Sequence, residues 1–247
     1  MRRNKKVHYA MQADISLSKR LTSSIGKKIV VALTGVFLSL FLIIHLMGNL
    51  QLLKNDGGEA FNHYAEFMGH NPLIQFVSKI NFAFILGHAF WGIFLAFKNR
   101  AARPTLYAVN KPGANSRWAS RNMALLGTII FVFIAVHLSK FWFVFHYGDI
   151  PFAEYHDGVT GEFSRIKDYA TVVDIGFEQL WIVIFYVASM FALAFHLSHG
   201  VQSAFQTLGL NNKEFAPTLR TIGTVFAYGI CALFAIIPVL MYLNITL

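Results

Sequence analysis

The chain has 247 residues, of which 55% are hydrophobic and only 13% charged, with a formal net charge of +9. With a mean hydropathy of +0.51, this composition argues against soluble domains and for a membrane protein. The single cysteine, Cys231, leaves no internal disulfide and no cysteine metal cluster, and the basic balance says nothing of nucleic acid until its placement is known.

Residues 1–27 form a basic, polar segment with Arg2, Arg3, Lys5, Lys6, Lys19 and Arg20. It resembles the charged start of a secretory signal. The apolar run behind it is too long for a signal core, however, and no A-x-A-like cleavage site follows. The expectation is a retained first helix. That run, KKIVVALTGVFLSLFLIIHLMGNLQ, has no formal charge between Lys28 and Asn49 and contains His45. It is long enough to cross a hydrocarbon layer of roughly 30 Å.

Five such runs are predicted, at about 28–50, 73–97, 122–147, 175–206 and 219–245. Breakers punctuate the connections: Asp56-Gly-Gly and Asn71-Pro72, then Pro104 and Pro112-Gly113, then Pro151, Gly158 and Gly161, then Gly209 and Pro217. The expected fold is an all-α membrane protein, with residues 28–247 forming one five-helix transmembrane domain.

Charge sets the orientation. The segment through Lys28 and the connection from Lys98 to Arg121 hold most of the Lys and Arg, and the fourth connection adds Lys213 and Arg220. The first and third connections and their flanks carry ten of the twelve acidic residues, with only Lys54, Arg165 and Lys167 against them. By the positive-inside rule the N-terminus is cytoplasmic and the C-terminus outside.

Each of the first four runs contains a histidine. His45 lies 17 residues beyond Lys28, and His137 lies 16 beyond Arg121 on a helix running the same way. His88 lies ten before Lys98, and His196 about ten before the inner end of its run. At about 1.5 Å per residue, this gives an outer pair, His45 with His137, and an inner pair, His88 with His196, roughly 10–15 Å apart in depth. A lone intramembrane histidine is as often a hydrogen-bonded core residue as a ligand. Four of them, one per helix and paired by depth, point to two haems with two axial imidazoles each. Zinc prefers ligands gathered at one level with Cys or carboxylate help, which these helices lack.

Gly35 and Gly127 each lie ten residues before an outer histidine, near the inner level, where a missing side chain admits a porphyrin edge; ordinary small-residue helix packing is the alternative. His199, one turn after His196, is a second possible ligand on its helix. Lys140, one turn after His137, is a candidate partner for a haem propionate, against simple snorkelling to the surface. His8, His63, His70, His146 and His156 lie in polar segments or near helix ends and need no special role.

Three stretches then carry a family resemblance: SSIGKKIVVALTGVFLSLFLIIHLMGNLQ, FNHYAEFMGHNPLIQF before the second helix, and FHLSHGVQSAFQTLG closing the fourth. They resemble the five-helix, di-haem cytochrome b558-type membrane anchor of bacterial succinate dehydrogenases and fumarate reductases, over most of the chain from Thr22 onward. The resemblance implies two haem b groups, held by His45 with His137 and by His88 with His196. The family's HxxxG pattern fits His196 to Gly200 and so favours His196 over His199. It further implies an iron–sulfur subunit docked on the cytoplasmic face, carrying a flavoprotein subunit. The anchor would exchange electrons with membrane quinone, menaquinone by the family's habit, in a bacterial cytoplasmic membrane. Some relatives have an acidic residue two before the fourth-helix histidine; here that position is Ala194. An acidic residue associated with quinol in some relatives has Glu66 as its nearest counterpart.

Two other readings compete. One is the cytochrome b subunit of another quinone-linked dehydrogenase or a hydrogenase, against which the first-helix motif argues. The other is a haem-free transporter using its histidines as a proton relay.

Overall fold

In the computed structural model, residues 23–102, 112–156 and 163–245 are described. Residues 1–22 of the basic N-terminal segment, and Arg103 and Lys111 of the second connection, lie outside them.

The first span, α1 (Ser24–Asn49), starts where the Ser23 hydroxyl accepts the Gly26 N–H at 3.0 Å, and ends in a 3₁₀ turn, Leu50–Leu53. A short helix follows, α2 (Glu59–His70), entered through left-handed glycines at Gly57 and Gly58. Next comes α3 (Pro72–Ala101), whose cap, Asn71, accepts the N–H groups of Leu73 and Ile74 at 3.0 and 3.2 Å, with Pro72 in the first turn. The third span, α4 (Met123–Tyr147), contains one widened π turn over Leu138–Trp142, immediately after His137. An antiparallel hairpin pairs β1 (Phe152–His156) with β2 (Phe163–Lys167), Glu154 opposite Arg165. Then follow α5 (Tyr169–Phe177), α6 (Leu180–Thr207) and α7 (Ala216–Tyr242).

Five helices, α1 with its 3₁₀ turn, α3, α4, α6 and α7, are long and apolar enough to cross a membrane. Their outward faces carry exposed apolar side chains, among them Leu40, Phe76, Leu86, Phe90, Phe97 and Phe191. That is a multi-pass membrane architecture, helical apart from one hairpin.

The sequence reading differs from the structure at three places. The fourth run, read as 175–206, is two helices: α5 ends at Phe177, Gln179 is extended (φ −93°, ψ 112°), and α6 begins at Leu180. Hydropathy fuses them because α5 is apolar in its own right, burying Tyr169, Val173 and Phe177. The helix α2 and the hairpin stood only as polar connections, since each is too short and too amphipathic for a hydropathy signal.

The spans α1, α3, α4 and α6 form a closed ring in which each touches the next, and α7 packs outside on α6 and α1. Successive members of the ring run in opposite directions, so α1 and α4 are diagonal to one another, as are α3 and α6. One apolar cluster seals α1 to α6 and α7 through Leu46, Met190, Leu197, Ala227 and Cys231. A second plugs the end carrying the hairpin, joining Phe61, Phe141, Ile150, Val173, Ile182 and Tyr186. The other end carries Lys27, Lys28, Lys98, Arg100, Arg117 and Arg121.

At the hairpin end one polar latch ties α2, β1 and α5 together. Asn62 is fully buried. Its amide donates to the Tyr155 hydroxyl at 2.7 Å and to Asp168 Oδ1 at 2.9 Å, and its oxygen accepts the Ala170 N–H at 2.8 Å. Asp168 also caps α5 through the Thr171 N–H and hydroxyl. Burial works against the Asp168 charge, but the hydrogen bonds from Asn62 and Thr171 outweigh it and hold the carboxyl below its ordinary value of 3.8.

We expect Asn62→Leu to strand these partners and cost about 1–3 kcal/mol, read as a lower thermal midpoint of the solubilised protein. Because the folded carboxyl titrates below 3.8, its contribution is complete above that pH and is lost as pH falls through the folded value. Asp168→Asn should therefore lower the midpoint at pH 6 and flatten its fall below about pH 4; an unchanged acid profile would remove Asp168 from the latch.

Candidate functional site

The ring of four spans is not filled at its centre. A continuous, partly open cavity of about 2670 Å³ runs through it, lined by His45, His88, His137 and His196 and reaching from Lys28 and Arg100 at the basic end to His70 and Lys167 at the hairpin end. Pockets for a single small ligand run to roughly 300–1,000 Å³. This space takes more than one.

The four histidines meet as two diagonal pairs. The rings of His45 on α1 and His137 on α4 have centroids 5.7 Å apart with planes at 89°. Those of His88 on α3 and His196 on α6 are 6.2 Å apart at 69°. Direction explains the pairing: spans running the same way reach the same depth after similar numbers of residues. The depth interval also follows from contacts. His88 bonds Thr34, eleven residues before His45, and Gly127 faces His196, ten residues before His137. At about 1.5 Å per residue the pairs lie roughly 15 Å apart along the axis, the upper end of the expected range.

Two rings have a hydrogen-bond partner that fixes their chemistry. His88 Nδ1 lies 3.1 Å from Thr34 Oγ1, whose own proton goes to the Val30 carbonyl at 2.8 Å. Thr34 is therefore the acceptor, Nδ1 carries the hydrogen, and Nε2 is left with its lone pair. His137 Nδ1 lies 3.3 Å from the Tyr186 hydroxyl, which sits among Phe133, Phe141 and Phe177. On His196, Nδ1 is buried with no hydrogen-bond partner among the described residues. His45 stacks on Phe41, with ring centroids 5.2 Å apart.

These residues fit haem iron. Two imidazoles on opposite faces of one metal, each bonded at about 2 Å, hold their centroids roughly 6 Å apart. Both pairs meet that spacing, in a cavity of sufficient volume, and in each pair one ring, His88 and His137, has its Nδ1 on a neighbouring hydroxyl, as metal-binding histidines commonly do. Among the described residues no three His, Cys, Asp or Glu side chains gather as a metal-binding group; the donors come in twos.

The glycines face the imidazoles rather than a helix backbone. A Cβ on Gly35 would lie 3.2 Å from His88 Cε1, and one on Gly127 would lie 3.7 Å from His196 Cε1. Both positions thus keep the space beside the basic-end pair open. His199 lines the cavity one turn beyond His196 but takes no part in the ring pairing. Lys140, in the π turn, does not line the cavity, whereas Lys167 on β2 does. Glu66 stands behind the hairpin-end mouth, 3.4 Å from His70 Nδ1 and 3.4 Å from the Tyr169 hydroxyl that donates to it.

Thr34, Tyr186 and Lys167 were missed in the sequence. Thr34 lies one position before Gly35 and eleven before His45, so its level was readable, but not its rotation toward α3. Tyr186 and Lys167 carry no comparable signal.

No family model matches the chain, and a search of curated proteins gives no match.

Thr34→Val removes the acceptor while keeping the shape. We expect ¹⁵N-histidine NMR to show one ring, His88, losing its fixed Nδ1–H form while the signals of His45, His137 and His196 stay unchanged. An unchanged His88 signal would mean Thr34 does not set the tautomer.

Proposed function

We propose that the chain is a di-haem cytochrome b membrane subunit of a succinate:quinone oxidoreductase. It passes electrons between an iron–sulfur subunit and membrane quinone, menaquinone in this reading, and anchors the iron–sulfur and flavoprotein subunits. One observation carries the proposal: two imidazole pairs from four different spans, 5.7 and 6.2 Å apart, inside a single cavity. The family resemblance of the first, second and fourth helices supplies the rest.

In this reading His45 with His137 and His88 with His196 are the axial ligands of two haem b groups, which supply one-electron carriers when bound. Thr34 and Tyr186 orient the rings of His88 and His137 through Nδ1 and direct Nε2 to the metal. Phe41, Phe133 and Phe141 pack against the His45 and His137 rings and keep water from them. Lys28 and Arg100 at one mouth and Lys167 at the other are the cavity-lining cations that would hold haem carboxylates. Lys167 takes the part that the sequence reading gave to Lys140.

In this reading the basic end faces the cytoplasm, which the charge asymmetry supports, and the chain lies in a bacterial cytoplasmic membrane, as the family resemblance implies. Docking of the iron–sulfur subunit follows on that face, where Lys98, Arg100 and Arg117 are exposed. The His88–His196 pair lies nearer that face, so the haem it would hold is the nearer of the two to a docked iron–sulfur subunit. Glu66 and Tyr169, beside the hairpin-end mouth, mark the side on which the quinone headgroup is exchanged.

Single substitutions test the haem assignment. His45→Ala and His137→Ala should each remove the haem nearer the hairpin end and spare the other; His88→Ala and His196→Ala should do the reverse. His199→Leu should leave the low-spin spectrum intact. Pyridine haemochrome and redox titration read all five. Loss of the same haem from both the His45 and His88 variants would overturn the pairing.

Docking has a separate test. Neutralising Arg117 and Arg121 together should weaken retention of the soluble subunits and leave what remains less dependent on salt, with both haem bands unchanged. Equal co-purification of succinate-oxidising activity at all salt concentrations would reduce those charges to a topology signal.

A further inference from the structure

Of the five spans α3 is the least buried, and its one buried residue is polar: Asn81, 8% exposed. An amide in the middle of an apolar span costs several kcal/mol unless its groups are partnered. Yet Asn81 Oδ1 is buried without a hydrogen-bond partner among the described residues, and the side chain lines the cavity. It stands two turns from His88 toward the hairpin end, on the same face of α3 and roughly 10 Å along the axis. That places it between the two histidine pairs.

From Asn81 the polar face continues outward. Ser78 and Gln75 follow at intervals of three residues and also line the cavity. Gln75 closes the row at the α2–α3 corner, where its amide donates to the Met68 and Gly69 carbonyls at 3.2 and 3.0 Å. Across from Asn81, Ser39 on α1 lines the same space; its proton goes to the Gly35 carbonyl at 2.8 Å, so its oxygen is left to accept. The level match follows from two α1–α3 contacts, Thr34 with His88 and Phe37 with Phe84.

Neighbours three apart on a helix are about 5–6 Å apart at Cβ. That is too far for short side chains to bond directly, and right for one water between each two, given donor–acceptor distances of about 2.8 Å. A buried water needs two to four polar partners. Gln75, Ser78, Asn81 and Ser39 supply them at successive depths, and an apolar wall of Phe82 and Trp142, with ring centroids 5.2 Å apart, flanks them.

We propose that the α3 side of the cavity's hairpin-end half is a water-filled lane, ending at Asn81, that runs beside the His45–His137 pair and carries protons between the aqueous phase at that end and the level between the two histidine pairs. Each hop breaks one O–H bond and makes another, so the lane itself is unchanged. Why protons must move there rests on the electron-transfer reading: a hydroquinone headgroup that enters from this mouth and is oxidised at the depth of Asn81 gives a quinone, two electrons and two protons. The electrons would go to the bound haems, and the protons need a polar path back because the apolar wall offers none. The lane as a hydrated space does not depend on that reading.

The test uses the full chain with Cys231→Ala, in sealed vesicles of known orientation, and a membrane-impermeant cationic methanethiosulfonate added at the hairpin end. The reagent needs a thiolate, which forms only where water reaches. Ser78→Cys and Asn81→Cys should label at least tenfold faster than Ala83→Cys, which sits at similar depth on the outward face of α3. Equal rates at all three positions, or an Asn81→Cys that stays unlabelled while Ser78→Cys reacts, would overturn the lane. Hydroxyl-radical footprinting of the unmodified protein gives a second readout if the Asn81→Cys chain fails to fold. Phe82 should oxidise faster than the outward Phe90, and the reverse order overturns the proposal.

Proton traffic is read separately. Asn81→Leu should slow proton release at the hairpin end at least tenfold when a short-chain hydroquinone reduces the holoprotein, with haem content unchanged. An unaltered release rate would overturn the proton role. An optical spectrum of every sample keeps the two readings apart: labelling without a b-type band sinks the electron-transfer reading alone, and a b-type band with no labelling sinks the lane alone.

Discussion

Everything in this structure is arranged around four imidazoles held inside an apolar layer. A neutral histidine among lipid-facing helices needs a partner, and four of them need four. Placing the four spans in a closed ring with alternating directions solves this geometrically. Spans that run the same way lie on a diagonal, and their histidines reach the same depth across a shared space. The cavity is the consequence. A tightly packed ring would bring backbone against backbone, whereas here Gly35 and Gly127 face imidazole, and α7 is left to supply the packing that the ring forgoes.

The burial pattern follows from the same constraint. The span α6 touches both its ring neighbours and α7, and buries nine residues; α3 touches no such outer helix and buries one. A helix with so little apolar packing is held at its ends. Asn71 caps it, Gln75 ties it to α2, and Lys98 reaches the Ser24 hydroxyl at 3.3 Å. The hairpin-end plug, latched by Asn62, then closes the ring where the cavity would otherwise open widely.

Much of this was legible in the sequence, because the signals involved are one-dimensional. Twenty uncharged residues make a span, and alternating charge between connections gives relative direction. With direction known, counting residues from a basic flank gives depth, which is why His45 was set with His137 and His88 with His196. What depth cannot give is rotation about the helix axis. Thr34 is therefore invisible although it lies beside Gly35, and Lys140 is the only propionate candidate the helix spacing offers, whereas Lys167 reaches the cavity from a hairpin far away in sequence. The boundary at Gln179 was missed for a related reason. A hydropathy run does not register a break between two apolar helices when the residues at the break are only two, Glu178 and Gln179.

What occupies the space between the paired rings can be read from haem stoichiometry in the purified, unmodified chain, by a pyridine haemochrome assay against protein mass together with a reduced-minus-oxidised spectrum. The expected result is two b-type haems per chain, both low-spin and six-coordinate. A purified, folded chain with no b-type band, even after addition of haem, would contradict it.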